Sequence, residues 1–148
     1  MVRSDTEHAI GYLVKRVQQS LRRRCDTALR PTGLSMAQYA ALRALADHPD
    51  ASASELARLC FVTRQSLQDL LAGMRSAGLV VDADAPPRGR AQSLRLTRLG
   101  RSRLAAAHAA VADVETAMVK GIPTRERSEL AAALKRCAEN LESPSVRR

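Results

Sequence analysis

Apolar residues recur along most of this chain at three- and four-residue steps, the spacing that predicts amphipathic helices. Ile10, Leu13, Val14, Val17, Leu21, Cys25, Ala28 and Leu29 make one long stripe. Ser4-Asp-Thr-Glu7 ahead of it fits a capping box, and Pro31-Thr-Gly33 ends it. Leu34-Ser-Met-Ala-Gln38 starts a second helix, with Ser35 and Gln38 as another capping box and Tyr39, Leu42 and Leu45 facing inward. That helix stops at His48-Pro49-Asp50. Ser52-Ala-Ser-Glu55 opens a short third helix, about Ser54 to Cys60, that buries Leu56 and Leu59 with Cys60 beside them. Phe61-Val-Thr63 breaks it, and a fourth helix runs from Thr63 to Ala77. There Leu67, Leu70, Leu71 and Met74 form a single buried stripe. At 100° per residue Gln65, Gln68, Asp69, Ala72 and Ser76 point the other way.

After Gly78 the period changes. Two β-like runs, Leu79 to Val81 and Ser93 to Thr97, flank Pro86-Pro-Arg-Gly-Arg90, which reads as a hairpin. Thr97 then caps a long helix to about Met118, with Leu104, His108, Val111, Val114 and Met118 on one side. Gly121-Ile-Pro123 breaks it. Thr124 caps a last helix in which Leu130, Leu134, Cys137 and Leu141 follow near-heptad spacing, and Ser143 to Arg148 reads as a frayed tail. The fold class that follows is mainly α with a small β-wing: a winged helix-turn-helix with long N- and C-terminal dimerisation helices. Its expected divisions are an N-terminal dimerisation helix (1–33), a DNA-binding domain (34–97) and C-terminal dimerisation helices (98–148). The end helices carry apolar stripes that need cover, and a second copy of the chain is the simplest source of it.

Composition sharpens this picture. At 148 residues the chain suits one compact protomer, and with 2% aromatic residues its core must be Leu, Val and Ala. The formal charge of +9 favours a polyanionic partner. Lysine is scarce, so arginine abundance can reflect genomic bias, and distribution is the better guide. Between Pro86 and Arg103 there are six arginines and no acid. Three well-separated cysteines do not make a disulfide framework; each falls on or beside an apolar stripe, so each is expected to be a buried, inert thiol. No apolar run reaches the roughly 18–20 residues of a membrane span, and no apolar signal core opens the chain, which points to the cytoplasm. His8, His48 and His108 lack partners at metal-ligand spacing, and His108 reads as core or interface. There is no phosphate loop, nucleophile elbow or HExxH. The chemistry expected is binding, without catalysis, cofactor or metal.

The candidate binding residues lie on the fourth helix and the hairpin tip. Gln65 and Gln68 have the geometry to pair bidentately with adenine in a major groove. Arg64 can reach guanine or phosphate, Thr63 and Ser66 can bond phosphates, and Thr63 can also cap the helix. Asp69, which phosphate would repel, is expected to orient a neighbouring arginine. Arg88 and Arg90, separated by Gly89 and stiffened by two prolines, suit a minor groove. Arg75, Arg95, Arg98 and Arg101 are further phosphate candidates, whereas Arg22-Arg-Arg24 reads as a solvated face. An ordinary solvated surface is the alternative for each. For the whole protein the alternatives to a sequence-specific regulator are a non-specific architectural DNA binder and a winged-helix protein-interaction module.

The order of elements, with Leu34-Ser-Met-Ala-Gln38, Glu55-Leu-Ala57, Arg75-Ser-Ala-Gly-Leu-Val80 and Leu96-Thr-Arg-Leu-Gly100, resembles the MarR family of bacterial regulators over nearly the whole chain. The resemblance implies a homodimer joined through its terminal helices, binding a pseudo-palindromic operator and usually repressing. It further implies release of double-stranded DNA when a small-molecule effector, often phenolic or lipophilic, enters a crevice between the dimerisation and DNA-binding regions. Two positions depart from the family pattern. The wing reads Arg88-Gly89-Arg90 where an acid often precedes paired arginines, and Asp82 stands where arginine is common. Asp82 or Asp84 reaching Arg88 or Arg90 is one way such a wing would be held.

Overall fold

The helical periods become helices wherever a local stop signal bounds them. The computed structural model describes residues 5–83 and 94–144. Its elements are α1 (Ile10–Leu29), α2 (Met36–Asp47), α3 (Ala53–Leu59), α4 (Arg64–Ser76), β1 (Val80–Asp82), β2 (Leu94–Leu96), α5 (Arg98–Met118) and α6 (Thr124–Glu142). They fall into two compact units, residues 1–114 and 115–148.

Within the first unit, the core is built from Leu29, Leu34, Leu42, Leu56, Leu67, Leu71, Met74 and Leu79, all essentially inaccessible. The expected inner positions Tyr39, Leu42 and Leu45 of α2 are buried, as are Leu67, Leu71 and Met74 of α4, with Leu70 at the edge. Leu59 departs from expectation: it is exposed. The inner arc of α3 is Ala53, Leu56, Ala57 and Cys60, and Leu59 lies about 110° from its centre at 100° per residue. The long stripe of α1 is buried only at Cys25 and Leu29, near its C-terminal end.

Termini follow their side chains. Ser35 and Gln38 form the full capping box, Ser52 accepts from the Glu55 amide, and Thr63 accepts from the Ser66 amide. Gly33 ends the turn after α1 at φ 72°, a backbone that glycine adopts without strain. Two expected caps differ. Ser4 lies outside the described residues, Asp5–His8 form a 3-10 turn, and α1 begins at Ile10 after Ala9 with no side-chain cap. Thr124 is the first helical residue of α6, and its N-cap is Pro123, whose ring carries no hydrogen-bond acceptor.

The wing base is antiparallel, pairing Val80 with Leu96, Val81 with Arg95 and Asp82 with Leu94. Thr97 ties it to the helices on both sides. Its hydroxyl donates to the Gly78 carbonyl at 2.6 Å and accepts from the Gly100 amide at 3.0 Å, while its own amide donates to Leu79 O. In the second unit no residue of α6 is buried. Its Leu130, Leu134 and Leu141 are exposed, and so is Cys137, against the expectation of a buried thiol.

Candidate nucleic-acid interface

The turn between α3 and α4 sets the pose of the candidate face. Cys60 N bonds Leu56 O, Phe61 N bonds Arg58 O and Val62 N bonds Ala57 O, so the chain reverses tightly and enters α4 at Thr63. Burial of Leu67, Leu71 and Met74 then fixes which side of α4 is left in water. Arg64, Gln65, Ser66, Gln68, Asp69, Ala72 and Ser76 are all exposed on it. The pattern of apolar positions foretold this face.

Thr63 has one assigned duty and little left over. Its oxygen accepts from Ser66 N, and its hydroxyl hydrogen points to Ser66 Oγ, both at 3.0 Å. The Ser66 hydroxyl hydrogen is thereby left available to an outside acceptor. The amides of Arg64 and Gln65, at the first two helical positions, also lack intrahelical partners by geometry, which makes this end of α4 receptive to an anion.

Two acids have partners that the sequence did not name. Asp69 does not orient an arginine; its Oδ1 accepts from Gln65 Nε2 at 3.1 Å, four residues back on the same face. Asp82 pairs with Arg75 Nε at 3.4 Å, linking the exit of α4 to the end of β1. The tip positions proposed to meet Asp82, Arg88 and Arg90, lie outside the described residues, as does Asp84. Among the described residues, the pair with Asp82 engages Arg75 through Nε. Arg101 folds back to donate to Leu96 O at 2.9 Å, bracing the wing base, and Arg98 is exposed at the start of α5. Arg22, Arg23 and Arg24 are exposed, in keeping with a solvated face.

His108 is neither core nor free. Arg43 donates to the Tyr39 hydroxyl, which lies 3.2 Å from His108 Nδ1. This bond joins α2 to α5, and sequence spacing of 69 residues hid it. Burial pushes the Cys60 thiol above the ordinary thiol pKa, so it is less nucleophilic than a free cysteine near neutrality. No group of metal-ligating side chains occurs among the described residues, and none of their helices is long and apolar enough to cross a membrane.

Known proteins place this arrangement. A model of the MarR family matches residues 32–91, from the end of the turn after α1 to a point short of β2. The chain is 32% identical over 134 residues to the HTH-type transcriptional repressor Rv2887 of Mycobacterium tuberculosis, covering 90% of this chain and 94% of that one. A solved structure of Rv2887 in complex with DNA is similar at a TM-score of 0.67 and 30% identity, over 91% of this chain and 98% of that chain. Its complex with salicylic acid gives a TM-score of 0.70 at 30% identity, over 87% and 96%. The transcriptional repressor CouR bound to a 23-mer DNA duplex gives 0.79 at 26% identity, over 93% and 98%. A winged helix-turn-helix with a capped α4, buried Leu67, Leu71 and Met74 and a paired wing base, whose likeness to a known repressor covers 90% of the chain, belongs to the MarR family.

Proposed function

We infer that the protein is a homodimeric, sequence-specific DNA-binding transcriptional repressor released from its operator by a small-molecule effector. The observation that carries this reading is the exposed polar face of α4, capped by Thr63 and backed by the buried Leu67, Leu71 and Met74. Such a face fits the major groove, where amide and guanidinium groups read base edges. Gln65 and Gln68 are the base readers, Arg64 reads guanine or holds phosphate, and Ser66 and the Thr63 end of the helix take a backbone phosphate. Arg75, anchored through Nε to Asp82, offers its remaining donors to phosphate. Arg88 and Arg90 enter the flanking minor groove.

In a dimer the two α4 helices address successive major grooves roughly one helical turn, about 10 bp, apart. Residues 34–97 then read DNA, while 1–33 and 98–148 supply the dimer contacts. Occupancy of a promoter blocks polymerase, so the protein acts by binding alone and works in the cytoplasm with the DNA it controls. Complexes of Rv2887 with salicylic acid and of CouR with p-coumaroyl-CoA support an aromatic acid or its thioester as effector. Such a ligand need only favour a dimer with misplaced α4 helices; about 1.4 kcal/mol of preference lowers operator affinity tenfold.

The test is selection of bound sequences from a random duplex library at near-physiological salt. An enriched inverted repeat with half-sites about one turn apart is expected. Binding without enrichment would favour an architectural role, and no binding would favour a protein-interaction module. On the enriched operator, Gln65→Ala or Gln68→Ala should relax base preference. Arg90→Ala should weaken all duplex binding and flatten the salt dependence by about two units in slope, one for each protomer.

A further inference from the structure

Phe61, the chain's single phenylalanine, sits in the turn between α3 and α4. Its side chain is 93% exposed, more than any other large apolar residue described. Its backbone lies at φ 55°, the only non-glycine residue among those described with a positive φ. A lone exposed apolar side chain is ordinary on a protein surface. The combination is not, because glycine or asparagine takes this backbone with less strain and either would be better solvated. The turn gives the ring a firm base, since the amides of Phe61 and Val62 are both bonded back into α3. Strain held by a well-bonded frame is a pointer to use.

Position says what the use is. Phe61 precedes the Thr63 cap by two residues, and exposed Arg58 and Arg64 stand three residues to either side. The ring is thus continuous with the end of α4 assigned to phosphate. At the edge of a groove the DNA backbone alternates charged phosphate with the apolar C–H surface of deoxyribose. An apolar ring flanked along the chain by two exposed arginines matches that alternation. We propose that Phe61 is a DNA-contacting residue whose ring packs on deoxyribose at the rim of the groove entered by α4. This contact adds affinity that depends on neither base sequence nor salt, because it involves no charge and no base edge. The proposal rests on the reading of α4 as the recognition helix.

The experiment compares the wild-type protein with Phe61→Gly, Phe61→Asn and Phe61→Trp, on the enriched operator and on an unrelated duplex, across a salt series. The Gly and Asn variants should melt at or above the wild-type temperature. They should bind both duplexes about tenfold more weakly, two rings in the dimer contributing about threefold each. The slope of log affinity against log salt should stay at the wild-type value, and the Trp variant should keep the affinity. Wild-type affinity in the Gly and Asn variants would overturn the proposal, as would a loss confined to Gly or a change in slope. Absence of duplex binding by the wild-type protein would overturn the reading of α4 as well, and the wild-type measurement alone shows which has failed.

Discussion

Gln65 and Asp69 show how an acid can serve on a face proposed to meet a polyanion. The carboxylate accepts only, so the Gln65 amide must turn its nitrogen toward Asp69, as the 3.1 Å contact has it. That leaves Oε1 and the second N–H of Gln65 for an adenine edge, already oriented. Asp69→Ala should therefore broaden base preference at the position read by Gln65 while total affinity changes little, since a repulsion with phosphate is removed too. Selection with the variant checks this. The cysteines give a second prediction. Alkylation followed by mass spectrometry should modify exposed Cys137 first, Cys60 more slowly and buried Cys25 last. Because burial raises the Cys60 pKa, its thiolate fraction is low near neutrality, and its rate should keep climbing with pH beyond the range where an ordinary thiol levels off. The stripe that carries Cys137 was legible, but its burial was not, because a stripe states which side wants cover and not whether this protomer supplies it.

Among the elements, the junctions carry more than the helices. A β-carbon on Gly100 would stand 2.0 Å from the Leu79 carbonyl oxygen, with Leu79 backbone unable to yield. The same carbonyl accepts from Thr97 N, so the first turn of α5, the wing base and the exit of α4 meet at this one contact. Gly100→Ala should cost about 1–3 kcal/mol of stability by overpacking and displace the wing, read by denaturant unfolding and by weakened DNA binding. Ser35→Ala should cost only about 1 kcal/mol, the loss of a cap, and leave DNA binding intact. The Ser35–Gln38 capping box and the strand pairing were legible because their partners lie three residues apart or across one hairpin. The exposure of Leu59, the partner of Asp82 and the Tyr39–His108 bond were not. Each depends on where a neighbouring element ends or which distant element arrives beside it.

For the whole molecule, the apolar side chains left in water point to assembly. Ile10, Tyr12, Leu13, Val14 and Val17 of α1 are exposed, as are Leu130 (45%) and Leu134 (44%) of α6. Leu134→Glu should shift the protein from dimer to monomer in sedimentation velocity. Operator affinity should then collapse to that of a single half-site, since the second helix no longer binds at the high effective concentration of a tethered partner. Stability of the first unit, whose core contains no residue of α6, should change little.

The sequence by itself determined the helices, the order of elements, the polar face of α4 and the family, because each is written in local periodicity, in caps three residues apart or in short motifs of set spacing. Tertiary structure decided the rest. It gave Asp69 to Gln65 and Asp82 to Arg75, made Gly100 the point where α5 approaches Leu79, and left Phe61 standing in water beside α4. These outcomes turn on distances between atoms that periodicity does not encode: a stripe specifies a direction, whereas a partner requires a neighbour at bonding distance.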